Sequence, residues 1–428
     1  MSVAPAGPTT RMLSAQEPTS IEQTGLDMIF IADMALKVIY FQGMITGQAL
    51  SEHLCLPYFN VLERAFSYLK REEYVEVSGS SGFGELAYQY TLTPKGSLRA
   101  QEQIDRTAYA GPAPVTLEAY QSMVLEQAHG PERVSREEVI QAMSDMVVPD
   151  TTIDQIGQAV NTGRSMFLFG EPGNGKTAIA ERMAELLGGY VLIPHAVVID
   201  GQVIKVLDVQ NHDPVPVPPG RVEYDRRWVL CKRPAVMVGG ELTLTSLDLV
   251  YDPVSKVYEA PLQMKANNGM FLIDDFGRQQ VRPTDLLNRW IVPLEKRIDY
   301  LTLKTGKKIE IPFEEVIVFS TNLKPRDLVD DAFLRRIQSK INVVNPTANQ
   351  FREIFKRQCE HFNIPFDQQG LVYLLREHYV KQQRELRACH PRDILRILIG
   401  IAKYLDTSPG LEQDLIDRAC GSYFVDLS

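Results

Sequence analysis

The stretch Met166-Phe167-Leu168-Phe169-Gly170-Glu171-Pro172-Gly173-Asn174-Gly175-Lys176-Thr177-Ala178 decides how this chain folds. Four apolar residues fit a buried strand, and eight that follow match the pattern G-x-x-x-x-G-K-[ST]. Ala178 to Leu187 is then rich in helix formers. A strand, a glycine-rich loop and a helix in that order form a phosphate cradle. The glycines let backbone N–H groups converge on phosphate oxygens, and the positive end of the helix favours the negative charge. Gly170 to Ala178 are therefore the expected binding residues, with Lys176 reaching the β- and γ-phosphates and Thr177 ligating Mg²⁺.

A second motif lies 98 residues beyond Lys176, where Met270-Phe271-Leu272-Ile273 runs into Asp274-Asp275. A buried strand ending in carboxylates sets them at the sheet edge facing the phosphates. Asp274 is expected to hold Mg²⁺, directly or through water, and Asp275 to orient or deprotonate an attacking water. Strand candidates at Ser165–Phe169, Met270–Ile273, Val316–Ser320 and Ile341–Val344 alternate with helical stretches. That alternation calls for a parallel α/β sheet. After Asn345-Pro346 the pattern turns all-helical, with helices near Ala348–Phe362, Gly370–Gln382, Pro391–Leu405 and Leu411–Phe424.

Upstream, helical spacing runs from Leu26 to Phe41, a short helix is expected over Gly47–Leu54, and a third begins after Pro57. Tyr74–Val77, a Ser/Gly-rich turn over Ser78–Gly84, and Leu86–Leu92 then suggest a two-stranded ribbon. Three helices followed by a ribbon resemble a winged-helix domain, with Tyr90 to Gly96 similar to its wing strand. Pro- and Gly-containing Ala110–Val115 reads as a linker, followed by helices around Leu117–His129 and Ser135–Met146. The expected organisation is a flexible tail over 1–24, a winged-helix-like domain over 25–108, linker and helices over 109–150, an α/β core over 151–345 and a helical lid over 346–428.

The motifs taken together resemble the AAA+ ATPase superfamily. Phe319-Ser320-Thr321-Asn322 is similar to its sensor-1 strand end, Ala332-Phe333-Leu334-Arg335-Arg336-Ile337 to its arginine-finger segment, and His390-Pro391-Arg392-Asp393 to sensor 2. A hairpin over Tyr300–Ile311, after Leu286-Leu287 to Leu294-Glu295, is similar to the MoxR-like and enhancer-binding-activator branches. The resemblance implies a P-loop NTPase sheet with a helical lid, ATP and Mg²⁺ as cofactors, and a ring, six-membered by analogy. Asn322 would hold the attacking water and Arg392 would lie over the γ-phosphate. Arg335 or Arg336, with Arg336 ranked first, would enter a neighbour's site. The superfamily usually ends its strand Asp-Glu, whereas this chain has Asp274-Asp275. The shorter carboxylate sits about one methylene further from the water, which keeps a slow ATP-binding switch among the alternatives.

Composition narrows the remaining classes. The 428 residues carry 45 Lys and Arg against 54 Asp and Glu, a net charge of −9, and 44% are hydrophobic, as in an ordinary globular chain. The five cysteines lie far apart with no C-x-x-C pair, so a disulfide framework or zinc site is not expected and a reducing cytoplasm is. Met1–Thr10 lacks a basic region followed by an apolar core, and no run of about 18 apolar residues predicts a membrane span. Residues 1–110 hold 8 basic and 12 acidic side chains, and Glu63, Glu72 and Glu73 offset Arg64, Lys70 and Arg71. A reader of duplex DNA shows a basic face, so a protein client is favoured over a nucleic-acid-linked regulatory role. Ile193–Gly240 reads as a long inserted loop with an extended run at Val215–Pro219, and Tyr251, Tyr258 and Met264 as core or as ring-centre residues. His195 and His212 read as structural.

Overall fold

A computed structural model of the chain describes residues 15–128, 133–216, 224–329 and 331–424. The tail residues 1–14, His129, Val217-Pro218-Pro219 and the last four residues, all named above, lie outside them.

The centre is a five-stranded, wholly parallel sheet. Its strands are β1 (Met166–Phe169), β2 (Ala235–Val238), β3 (Met270–Ile273), β4 (Val316–Thr321) and β5 (Ser339–Asn342), in the spatial order β2-β3-β4-β1-β5. All four residues of β3 and all six of β4 are buried, as strands covered on both faces must be. Side chains alternate between two cores. Met166, Leu168, Ile341 and Val343 pack with the helices Asp150–Thr162 and Lys176–Leu187. Phe167, Phe271, Phe319 and Ile337 pack with Trp290 of the helix Pro283–Lys296 on the opposite face. The fold is thus a P-loop α/β sheet followed by a helical C-terminal part, whose helices include Ala348–His361, His390–Tyr404 and Gln413–Tyr423.

Of the stretch read as an inserted loop, Ala235–Val238 is β2 of the central sheet, and other segments supply strands to a second β-layer. Ala196–Ile199, Gln202–Lys205, Val250–Asp252, Val257–Glu259 and Val115–Thr116 form one sheet, while Tyr190–Pro194 pairs with Trp228–Lys232. Prolines at 214 and 216 hid this from a local reading, because strands of two to five residues are stabilised by pairing partners distant in sequence. Tyr258 and Met264 are buried in that layer's core, and the Tyr258 hydroxyl accepts the Lys304 amide N–H. They are packing residues rather than ring-centre residues. His212 is also held, its Nδ1 accepting the Asp208 N–H and its Nε2 2.8 Å from the Lys265 carbonyl.

The N-terminal region has helices at Met28–Gln42, Gly47–Leu54 and Glu63–Arg71, with Met44–Thr46, Val75–Ser80 and Tyr88–Leu92 as an antiparallel sheet. The expected wing strand stops at Leu92. Thr93 caps a helix, Pro94–Arg106, by accepting the Gly96 N–H, and Pro94 suits its first turn. Two further expectations change. Of the tail, Ala15–Thr24 is docked: Ile21 and Thr24 are buried, and Gln16 bridges Tyr224. The linker is also integrated, since Ala113 is buried and Val115–Thr116 joins the second sheet.

Candidate nucleotide-binding site

The loop between β1 and the helix Lys176–Leu187 needs its glycines for two separate reasons. Gly170, Gly173 and Gly175 all have positive φ, where a side chain is strained. A Cβ on Gly170 would also come within 2.2 Å of the Val343 carbonyl oxygen, and one on Gly173 within 2.4 Å of Cys389 Sγ. The Lys176 ammonium folds over this loop. It donates to the carbonyls of Gly170 and Glu171 at 3.0 Å each and to Asn322 Oδ1 at 2.6 Å. Burial lowers its pKa, against the opposing pull of Asp274, Asp275 and Glu171.

The two carboxylates leave β3 in different environments. Asp274 accepts the Thr177 hydroxyl at 2.8 Å, so the two oxygen donors suited to Mg²⁺ adjoin one another. Asp275 is exposed and sits at φ 49, and its carboxylate accepts Asn322 Nδ2 at 2.9 Å. Asn322 therefore bridges the loop lysine and the second carboxylate. Gln279, which no motif flags, braces this turn: its amide donates to the Asp274 carbonyl, and its Oε1 accepts the Gly277 N–H.

The lid closes the other wall. The Cys389 N–H donates to the Gly173 carbonyl, the Ala388 N–H to Asn174 Oδ1, and Asn174 Nδ2 to Asn345 Oδ1. A cavity of about 650 Å³ opens between them, lined by Gly173–Ala178, Asp274, Asp275, Asn322 and Arg392, and further out by Met146–Val148 and Ile354. Arg392 lines it while its Nε donates to Asp393 at 2.9 Å. Arg278 and Arg357 also line it. Arg357 donates to the carbonyls of Ser144 and Met146, tying the lid to the cavity's apolar wall. Neither arginine belongs to a local motif, so only the folded chain reveals them.

Arg335 and Arg336 do not line this cavity. Both follow the short helix Asp331–Leu334 on the opposite face of the sheet. Arg336 pairs with Glu295 at 2.6 Å, whereas Arg335 is exposed.

The loop, the carboxylate-bearing strand end and the C-terminal helices thus meet around one cavity. Residues 347–422 match a family described as a domain of unknown function, DUF8689. No curated protein matches the chain. Among solved structures, the chain is similar to NtrX from Brucella abortus in complex with ADP, with 15% identity and a TM-score of 0.38 over 66% of this chain and 57% of that one. The chain thus spans little more than half the length of that protein. It is also similar to the Thermotoga maritima RuvB Holliday junction branch migration motor, with 11% identity and a TM-score of 0.36 over 65% and 70% of the two chains. A third likeness is to a magnesium chelatase complex of subunits BchI and BchD, with 17% identity and a TM-score of 0.34 over 69% and 98%.

Proposed function

We propose that this chain is a Mg²⁺-dependent ATPase of the AAA+ type, acting in the cytoplasm as a ring, six-membered by resemblance, to remodel or activate a protein client. The observation that carries this reading is the continuous contact path from Lys176 through Asn322 to Asp275, beside the Thr177–Asp274 pair. In that reading the loop N–H groups and Lys176 bind the β- and γ-phosphates. Thr177 and Asp274 would hold Mg²⁺, which when bound neutralises phosphate charge. Asp275 accepts a proton from the attacking water, and Asn322 fixes that water and the carboxylate together. The γ-phosphoryl group passes to the water oxygen as the bond to ADP breaks. Arg392 contributes positive charge from the lid.

The domain reading follows the same line. Residues 25–108 act as the winged-helix-like client sensor, 151–345 as the motor and 346–428 as the lid, with 1–24 and 109–150 as connecting segments. The helix Glu63–Arg71 would be the DNA-reading element of a nucleic-acid regulator. Its Arg64 pairs with Glu22 and its Arg71 with Glu72, which supports a protein partner. Among the described residues no helix is long and apolar enough to cross a membrane.

Substituting Lys176→Ala tests the reading. Loss of ATP binding or of phosphate release is expected, and wild-type affinity and turnover would refute it. A second reading, the slow switch, is favoured by the short Asp275 carboxylate. Bound ATP hydrolysing once over minutes, in place of steady turnover, would select it.

A further inference from the structure

Among the described residues, β2 is an open edge of the central sheet. It pairs only with β3, and the Pro234 and Val238 carbonyls accept the N–H groups of Met270 and Asp274. Alternation along the strand then turns the N–H and C=O groups of Ala235 and Met237 away from β3. Their side chains lie beside Met270 and Leu272, on the face that carries the helix Lys176–Leu187. A groove of about 860 Å³ runs there between helix and edge, lined by Ala180, Ala184 and Leu187 on one side and by Met237, Met270 and Leu272 on the other. Met237 is 46% exposed. An edge of this kind is a template for a further strand.

One end of the groove carries a cation without a counter-charge. Arg233 is half-buried just before β2. Its main-chain N–H donates to the Gly189 carbonyl, beside the end of that helix, and its Nη1 to the Asn268 carbonyl at 2.6 Å. Neither Nε nor Nη2 has a hydrogen-bond partner among the described residues, and no carboxylate pairs with the guanidinium there. The carbonyl end of the helix offers only a partial negative charge. Most other charges at the rim are satisfied: Lys232 pairs with Asp213, Glu185 with Arg182, and Glu138 accepts from Ser135. Glu181 is exposed, with no partner among the described residues.

We propose that this edge and groove bind the free C-terminal end of another protein, an extended apolar segment that adds to β2 as an antiparallel strand. The inference goes beyond the ATPase reading and does not depend on turnover. Charge complementarity selects the occupant and its direction. The terminal carboxylate meets the Arg233 guanidinium at the start of β2, so the added strand runs opposite to β2. Alternate residues lay apolar side chains over the groove, while the outward main-chain groups of Ala235 and Met237 supply hydrogen bonds. Glu181 lies six residues before Leu187. That is about 9 Å along the helix, or about three residues of extended chain, so a Lys or Arg is expected about three positions before the carboxylate. A second copy of this chain fits less well. A four-residue edge, about 13 Å long, buries too little for the roughly 1,200 Å² of a stable dimer.

The test selects from random peptides displayed with free C-termini, using the full-length protein as bait. Enriched sequences are expected to alternate apolar residues up to the terminus and to carry Lys or Arg about three positions before it. Fluorescence polarisation of the most enriched peptide then measures affinity. Amidating its terminus should weaken binding at least about tenfold, as should Arg233→Gln. Met237→Asp, at an exposed position, should weaken it as much by placing a charge in the groove. Thermal melting shows that the variants fold. Hydrogen exchange at Ala235 and Met237 should slow when the peptide is added. Selection of no common sequence, equal affinity of the amidated peptide, or unchanged affinity in Met237→Asp would overturn the proposal. A dimer in sedimentation that Met237→Asp dissolves would also overturn it, by assigning the edge to a second copy. No arm of the test uses ATP, so absent hydrolysis would count against the ATPase reading alone.

Discussion

Glu315 shows how much one buried side chain controls. It is 1% exposed, and neither carboxylate oxygen has a hydrogen-bond partner among the described residues. Burial raises its pKa well above the usual range, Asp299 and Glu314 add to the rise, and Arg297 opposes it. A carboxyl raised in the folded state contributes stability in full below its unfolded value, and that contribution is lost as pH rises through the folded value. Glu315→Gln should therefore match wild type near pH 4 and exceed it by about 1–3 kcal/mol at pH 8. Denaturant titrations of both proteins at the two pH values check this, and a pH-independent difference would contradict it. Asp275, readable in the sequence as a strand-end carboxylate, is where the proposed hydrolysis is tested. Asp275→Asn should keep ATP bound and slow hydrolysis about 100-fold or more. Asp275→Glu should speed hydrolysis if reach limits the reaction. Single-turnover measurements on both variants separate these effects.

At the scale of elements, the loop and the lid are fitted to each other across Gly173 and Cys389. Gly173→Ala introduces a Cβ 2.4 Å from the thiol at a φ of 84. It should lower nucleotide affinity about tenfold or more, and Cys389→Ala should restore part of that loss. The thiol is then gone, while the left-handed backbone still costs about 1 kcal/mol. Analogue binding to the single and double variants measures the two contributions. The loop itself was legible because its signal is local, but its dependence on Cys389 joins residues over 200 positions apart. The same holds for β2, whose Ala235-Val236-Met237-Val238 alternates exposed and buried as any short surface strand does. Nothing in those four residues specifies that they border β3. The helix Pro94–Arg106 begins inside Tyr90–Gly96, where the strand-like Tyr90–Leu92 favours an extended reading despite the capping Thr93 and Pro94.

Across the whole molecule, the N-terminal domain and the second sheet share a core. Ala196, Val203 and Val257 pack into the same cluster as Ile31, Leu50 and Phe66. The Ala108 N–H donates to the Ser255 carbonyl, and Lys256 donates to the Asp105 carbonyl. At the seam, Arg227 pairs with Asp225 while almost wholly buried, and donates to the carbonyls of Thr24 and Pro114. Arg227→Ala leaves Asp225 buried and unpaired, which should cost about 3–5 kcal/mol. Thermal melting of the full chain tests this. A loss under about 1 kcal/mol would mean that the seam is not held by this pair. Any movement of the N-terminal domain would have to carry the second sheet with it.

What the sequence determined alone was whatever depends on neighbours in the chain. The phosphate loop, the acidic strand end, the lid helices and the Tyr300–Ile311 hairpin all rest on local periodicity, capping and backbone freedom. Tertiary structure decided what depends on distance. It turned an apparent loop into β2 and strands of a second β-layer, drew Ala15–Thr24 and Ala110–Val115 into packed cores, and paired Arg336 with Glu295 while leaving Arg335 open. The physical reason is that short strands, ion pairs and shared cores gain their free energy from partners far away in sequence, and a local pattern carries no record of which partner will arrive.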